Sequence, residues 1–387
     1  MLGTTNKRKP RVLVGMSGGV DSSLAAALLI EAGFDVCGAY MKNWILDVPG
    51  MRCPWADDMA FAKRTAVRLG IDFRVYDFQE AYKREVVDYL VDEYRLGRTP
   101  NPDVMCNQEV KFGLFLDAAL EDGFDFVATG HYAKTDWWEL YTAESPEQNP
   151  AARAYSSRDL SELCPAEHGK LLRCADEAKD QTYFLYRMSQ RAVNHTLFPL
   201  ANFTKPQVRE MAAARDLPSA AKADSQGICF VGEAGIRDFL GMYVQRKPGP
   251  TIDFDTKEVL GYHDGAIFFT VGQRKGLGIG GGTEPYYVVG KDMENNIVYV
   301  STNPNRIDLQ ENQLRIGRLS WINEEAPSEG SCQARLRHTG ELLAANLSFP
   351  EEGVALLDFD QPRKKTASGQ SVVLYRGLEC LGGGIAL

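Results

Sequence analysis

The chain reads as an α/β protein: a parallel sheet flanked by helices, then a small central domain, then a C-terminal antiparallel β-barrel. Three observations predict this. From Arg11 to Thr129, short apolar runs alternate with helical patterns, as they do where parallel strands cross over through helices. From Pro248 onward, short β-rich runs alternate with Gly, Pro, Asn and Asp turns. The length, 387 residues, suits two or three domains, each with its own core. The expected division is 1–205, carrying an insertion at about 142–168, then 206–282, then 283–387.

Arg11 to Met16 is the first predicted strand. The next helix is apolar nearly all round, Ala25 to Ile30, so it is expected to be buried, and Gly33 ends it. Phe34 to Met41 is the second strand. Met59, Ala62, Ala66 and Leu69 share a helical face that Gly70 stops. Phe73 to Phe78 is the third strand, and Tyr82, Val86, Tyr89, Leu90 and Tyr94 mark another helix. A Pro-rich loop is expected from Arg98 to Cys106, a helix from Lys111 to Leu120, and a fourth strand from Phe124 to Thr129. Thr142 to Leu163 is polar and without period, so it reads as an exposed insertion. Thr204 caps a helix that runs to Arg215, and Ile236 to Tyr243 is another. The later strands include Tyr286–Val289, Ile297–Val300, Cys332–Leu336 and Ser371–Tyr375.

Composition excludes several classes. No apolar run is long enough to cross a membrane, and the polar N-terminus carries no secretory signal, so a cytoplasmic protein is expected. A net charge of −9 argues against a basic surface throughout, though a local patch could still meet nucleic acid. Eight cysteines stand at 37, 53, 106, 164, 174, 229, 332 and 380, and no two form C-x-x-C. No H-E-x-x-H occurs either, so no metal site is expected beyond a magnesium ion carried by a nucleotide.

The stretch that organises the rest is V-G-M-S-G-G-V-D-S-S, Val14 to Ser23, between the first strand and the first helix. Gly18 and Gly19 allow a sharp turn, and the helix N-terminus behind it suits a phosphate. Asp21 could cap that helix or hold a magnesium ion. The string is neither a Walker loop nor G-x-G-x-x-G. In a parallel sheet ligands bind beyond the carboxyl ends of the strands. The loops at Ser17, after Tyr40 and at Gly130-His131-Tyr132 are therefore expected to surround one nucleotide.

Two cysteines have suggestive neighbours. Cys106 lies in N-P-D-V-M-C-N, where Asn107 could cap the following helix and Asp103 could accept a proton. A cysteine at a helix N-terminus has its thiolate favoured. Cys229 lies in D-S-Q-G-I-C-F, between Gly227 and Gly232. Either could equally be a buried core residue.

The string S-G-G-V-D-S resembles the loop of the PP-loop, or adenine nucleotide α-hydrolase-like, enzymes. Together with M-K-N-W, N-P-D-V-M-C-N, G-H-Y-A, K-D-Q-T-Y-F-L, D-S-Q-G-I-C-F, F-T-V-G-Q-R-K-G-L-G-I-G-G and L-G-G-G-I, it resembles the tRNA-specific 2-thiouridylases of the MnmA type. The resemblance runs from Val12 to Ile385. It implies ATP-dependent 2-thiolation of a wobble uridine, with ATP and Mg²⁺ required. ATP would be held by Gly15, Met16, Ser17, Gly18, Gly19, Val20, Asp21, Ser22, Met41 and Gly130. Cys229 would carry the persulfide, Cys106 would be the second nucleophile and Asp103 the acid/base residue. The transfer RNA would meet Asn101, Pro102, Asp103, His131, Lys179, Asp180, Gln181, Arg335, Leu336 and Gln370. The implied partners are tRNAs for Lys, Glu and Gln and a cysteine desulfurase or persulfide carrier. The insertion near Glu144–Glu167 and the leucine at 336 depart from the family pattern. Other PP-loop ligases, and a non-catalytic tRNA- or nucleotide-binding protein, stay open as alternatives; neither needs two reactive thiols.

Overall fold

The computed structural model describes residues 8–44, 55–138, 165–223, 235–279, 284–303 and 310–387. The sheet of the first domain is built from β1 (Arg11–Gly15), β2 (Asp35–Lys42), β3 (Asp72–Asp77) and β4 (Phe126–Ala128). Two short strands then leave it, β5 (Lys134–Thr135) and β6 (Leu171–Leu172), and β7 (Thr196–Leu197) returns. The five sheet strands are all parallel, in the order β3-β2-β1-β4-β7. Strand order reverses beside β1, so a crevice opens where the chain leaves β1 and β4.

Helix α1 (Val20–Glu31) leaves the loop after β1. Its all-round apolar character has a structural reason. Leu24, Ala27 and Leu28 share one core with Val12 and Val14 of β1 and with Val208 and Ala212 of a later helix. Covered on both faces, α1 is a rigid mount for the loop that precedes it.

Helix α2 (Trp55–Leu69) and α3 (79–95) follow, α3 with a π-wound middle at Lys83–Asp88. Helix α4 spans 102–121 and is π-wound from Cys106 to Leu114. This corrects the loop expected at Arg98–Cys106. Pro102 occupies the first helical position, where its missing N–H costs nothing, so the helix starts well before Lys111. Cys106 therefore lies inside a helix, and Asn107 is not its cap. The Asn107 amide instead donates to the carbonyl of Phe184 at 3.0 Å. Short helices α5 (Thr182–Leu185) and α6 (Gln190–Asn194) lead to α7 (Lys205–Ala214). The N-cap predicted at Thr204 is present, and the structure adds a capping box in which Gln207 returns the bond.

Helix α8 (Gly235–Gly241) opens the central region. Its sheet holds β8 (Gly249–Asp253), β9 (Val259–His263), β10 (Tyr287–Asp292) and β11 (Ile297–Ser301) in the order β10-β11-β8-β9. The strands near Tyr286 and Ile297, expected with the barrel, pair here instead. The barrel begins with β12 (Gln310–Trp321) and continues through β13 (Gly330–Arg335), β14 (Leu343–Glu351), β15 (Val354–Lys364), β16 (Ser371–Arg376) and β17 (Glu379–Ala386). The order is β12-β15-β14-β13-β16-β17, and β17 pairs back onto β12, closing six antiparallel strands. A closed barrel has no edge strand to protect. It is joined to the first domain where Glu379 of β17 pairs with Leu172 of β6.

Candidate active site

The loop after β1 is shaped by one backbone conformation and a set of short bonds. Gly18 has φ +75°, and a Cβ there would lie 2.2 Å from the carbonyl oxygen of Asp58. Ser17 N–H donates to Ser22 Oγ at 3.2 Å, and the hydroxyls of Ser22 and Ser23 donate to the carbonyl of Gly19 at 3.3 and 2.8 Å. Met16 and Val20 are buried and anchor the loop, whereas the Ser17 side is open. Gly15 lies against Met41, whose Cε would be 3.0 Å from a Cβ there. Gly130 packs on the first turn of α1, and a Cβ would meet Ser22 N at 2.5 Å. The ten residues expected around a nucleotide thus gather at the carboxyl ends of β1, β2 and β4.

These residues fit a phosphate. The first-turn N–H groups of a helix have no intrahelical acceptor and carry partial positive charge. For a divalent cation the loop offers one carboxylate, Asp21. Among the described residues no group of three or more His, Cys, Asp and Glu side chains could hold a metal ion. A magnesium ion here would be held mainly by phosphate oxygens.

Asp21 has partners the sequence did not announce. Tyr132 OH donates to Asp21 Oδ1 at 2.9 Å, and Lys205 Nζ lies 2.7 Å from both carboxylate oxygens. A second cation, Lys222, sits on the other side, with Nζ 3.2 Å from the carbonyl of Gly18 and 2.5 Å from Asp58 Oδ1. Neither lysine belongs to a recognisable motif. The only local hint was the position of Lys205 at the start of a capped helix, where most side chains face water.

The segment Gly130-His131-Tyr132 ties this loop to α4. The His131 ring centroid is 5.6 Å from that of Phe112, in the same helix as Cys106. Thr129 Oγ1 lies 2.8 Å from His131 Nδ1. Burial, helped by the Lys111 ammonium, holds the His131 pKa well below its usual value, so the ring is neutral near pH 7. Tyr132 N–H donates to Gln181 Oε1 at 2.9 Å. Burial pushes the Asp103 carboxyl up, and Lys111 opposes the shift. Asp103 is thus a better proton acceptor than an exposed carboxylate.

Cys106 is buried, in a core shared with Val110 of α4 and Phe239 and Leu240 of α8. Cys229 lies outside the described residues, as does the expected insertion except at its end. Cys37, Cys106, Cys174, Cys332 and Cys380 are all buried. Burial raises the thiol pKa of Cys174 to about 12 and that of Cys37, Cys332 and Cys380 as well, which suits inert core residues.

The residues expected to meet RNA divide into two sets. Lys179 is exposed, and Leu336 and Gln181 are partly so. Gln370 of the barrel donates to the carbonyl of Thr99 at 2.6 Å, just before Asn101 and Pro102. Asp180 and Arg335 are instead sealed between the first domain and the barrel, 2.8 Å apart. Thr182 Oγ1 donates to Asp180 at 3.0 Å and lies 3.1 Å from Tyr375 OH; Arg173 Nε is 3.6 Å from Asp180. In this arrangement the pair holds the junction and presents nothing to solvent.

The whole chain has counterparts among known proteins. Residues 10–233 match the family described as the tRNA methyl transferase HUP domain. Residues 237–302 match the tRNA methyl transferase PRC-barrel domain, and 311–386 the aminomethyltransferase beta-barrel domain. The chain is 41% identical over 376 residues to the tRNA-specific 2-thiouridylase MnmA of Shouchella clausii, covering 97% of this chain and 96% of that one. It is 41% identical to the MnmA of Lacticaseibacillus paracasei, covering 97% and 93%, and 40% identical to that of Bacillus subtilis, covering 97% and 94%. With the strand–loop–helix site, the central sheet and the closed barrel in one order, the chain belongs to the MnmA family of tRNA-specific 2-thiouridylases.

Proposed function

We propose that the chain is an ATP-dependent tRNA uridine 2-sulfurtransferase, acting on the wobble uridine of tRNAs for Lys, Glu and Gln. The observation that carries this reading is the Gly130-His131-Tyr132 segment. One side packs on the phosphate loop and the other on the helix that bears Cys106. A nucleotide chemistry and a thiol chemistry can therefore share one substrate.

Uracil O2 attacks the α-phosphorus of ATP; the new O–P bond forms as the α–β bridge breaks, and pyrophosphate leaves. Asp103 takes the N3 proton, a role its raised pKa suits. The outer sulfur of a Cys229 persulfide then bonds to C2, and AMP leaves with the former O2. The Cys106 thiolate attacks the inner sulfur of Cys229. That step breaks the S–S bond, leaves sulfur on C2 and joins Cys106 to Cys229. The transferred sulfur is reduced as the two cysteines are oxidised, so an external thiol must reset the enzyme. A cysteine desulfurase or a persulfide carrier reloads Cys229. Such a cycle suits the reducing cytoplasm. Magnesium, when bound, would offset phosphate charge near Asp21. Helix α8, which starts six residues after Cys229, shares the core of Cys106, and this supports the pairing. In this conformation Cys106 is covered, so the relay requires that core to open.

The test is turnover with tRNA, ATP and a persulfide donor. The reading expects 2-thiouridine, AMP and pyrophosphate in equal amounts. ADP and phosphate as tRNA-dependent products, or methylated uridine in place of thiouridine, would contradict it.

A further inference from the structure

Two ammonium groups flank the phosphate loop, and each is neutralised by a carboxylate. Lys205 bridges both oxygens of Asp21 at 2.7 Å. Its backbone is fixed, with its N–H donating to Asp176 Oδ2 at 2.9 Å. Lys222 holds Asp58 at 2.5 Å and the Gly18 carbonyl at 3.2 Å. Aromatic rings back both heads: Tyr132 lies 5.9 Å from Lys205 Nζ, and Phe61 lies 4.6 Å from Lys222 Nζ.

We propose that Lys205 and Lys222 are phosphate-contacting residues, held in reserve by Asp21 and Asp58 and released to the polyphosphate when nucleotide enters. The proposal rests on the reading of the loop as a nucleotide site. As they stand, the four groups sum to zero at the mouth of the loop. A polyphosphate brings excess negative charge, and the helix terminus offsets only about half an elementary charge. Unless the pairs exchange, Asp21 and Asp58 face that anion with their cations already committed. If they exchange, each ammonium moves from a carboxylate to a phosphate oxygen. Asp21 is then free to turn toward the divalent cation carried by the phosphates. The carboxylates suit exchange because they are partly solvated, with side-chain exposures of 30% for Asp21 and 26% for Asp58, whereas Lys205 is nearly buried at 11% and so stays at the loop when its partner turns away. Lysine suits it too, as a compact charge with three donors on a flexible stem.

Asp21 and Lys205 should then carry opposite signatures, which members of a merely structural ion pair would not. The probe is α,β-methylene-ATP, which cannot be split at that bridge, with adenosine as the phosphate-free control. Affinities are measured by calorimetry on the full-length protein, with and without Mg²⁺. Lys205→Met and Lys222→Met should each weaken the triphosphate by about tenfold or more, and adenosine by less than about twofold. Lys205→Arg, which keeps the charge, should recover most of the loss and guards against misfolding of the Met variant. Asp21→Asn releases Lys205, so it should bind the magnesium-free triphosphate at least as tightly as wild type, yet lose the gain that Mg²⁺ confers. Equal loss of triphosphate and adenosine in the Met variants would overturn the proposal. So would weaker magnesium-free binding in Asp21→Asn. Wild-type protein that binds neither probe would overturn the nucleotide reading itself, and this proposal with it.

Discussion

Asp180→Asn tests what the junction between the first domain and the barrel is for. The substitution keeps the side chain's shape and removes its charge. Asp180 is fully buried, and its carboxylate faces Arg335 at 2.8 Å and Arg173 at 3.6 Å, side chains exposed by only 7% and 9%. Breaking a buried pair by removing one partner costs about 3–5 kcal/mol, because the other charge stays out of water. Asn can still accept from the Thr182 hydroxyl, so the lower end, about 3 kcal/mol, is expected. The loss falls on the contact between two domains, so it should uncouple their unfolding as well as lower stability. Hydrogen exchange of β13 and β16 across a urea series reports this directly. Both strands should exchange faster while β1 is less affected. Arg335→Met should also destabilise, and the double variant should be clearly better than the sum of the two losses. If Asp180→Asn unfolds within about 0.5 kcal/mol of wild type and mainly weakens tRNA binding, the buried-junction account is wrong and Asp180 reaches RNA.

Other perturbations have equally definite signs. Gly130→Ala places a Cβ 2.5 Å from Ser22 N and 2.7 Å from Asp21 C, both backbone atoms, so nucleotide affinity should fall at least about tenfold by equilibrium dialysis. Lys291 Nζ is buried without a hydrogen-bond partner, and burial lowers its pKa to about 8. The unfolded chain therefore holds that proton more tightly than the native protein. Lys291→Met should raise the melting temperature at pH 7, and its advantage should shrink as pH rises from about 8 toward the unfolded value near about 10.4. His131, His263 and His338 are all shifted down by burial. Their contribution is present above the unfolded pKa of about 6.5 and is lost as pH falls from there through the depressed folded values, so His131→Gln should flatten the acid side of the stability profile measured by calorimetry.

Much of this was legible in the sequence because local and tertiary preferences agree. The apolar runs at Val12–Val14 and Phe124–Thr129 read as strands of a parallel sheet and pair as such, and S-G-G-V-D-S reads as the tight turn that does lie between β1 and α1. The rest depends on partners distant in the chain. Lys205 and Lys222 read as ordinary surface cations until the fold carries them 184 and 164 residues back to Asp21 and Asp58. The π-winding of α4 has no compositional signal. The start of that helix was hidden because Pro102 resembles a loop residue yet fits the first helical position. The family resemblance assigned Asp180 and Arg335 to RNA, and nothing local in the sequence shows that they face one another where the barrel meets β6. Thr196–Leu197 is too short a strand to leave a period.

The sulfur relay is tested most directly by thiouridine formed per enzyme in wild type, Cys106→Ser and Cys229→Ser, with mass spectrometry of both cysteine peptides under non-reducing conditions. Cys229→Ser should take up no extra sulfur. Cys106→Ser should accept it on Cys229 and still release pyrophosphate from ATP in the presence of tRNA, yet fail to complete transfer. Replacing buried Cys37, Cys174, Cys332 or Cys380 should leave the yield largely intact. Thiolation at the wild-type rate by either serine variant would contradict the account.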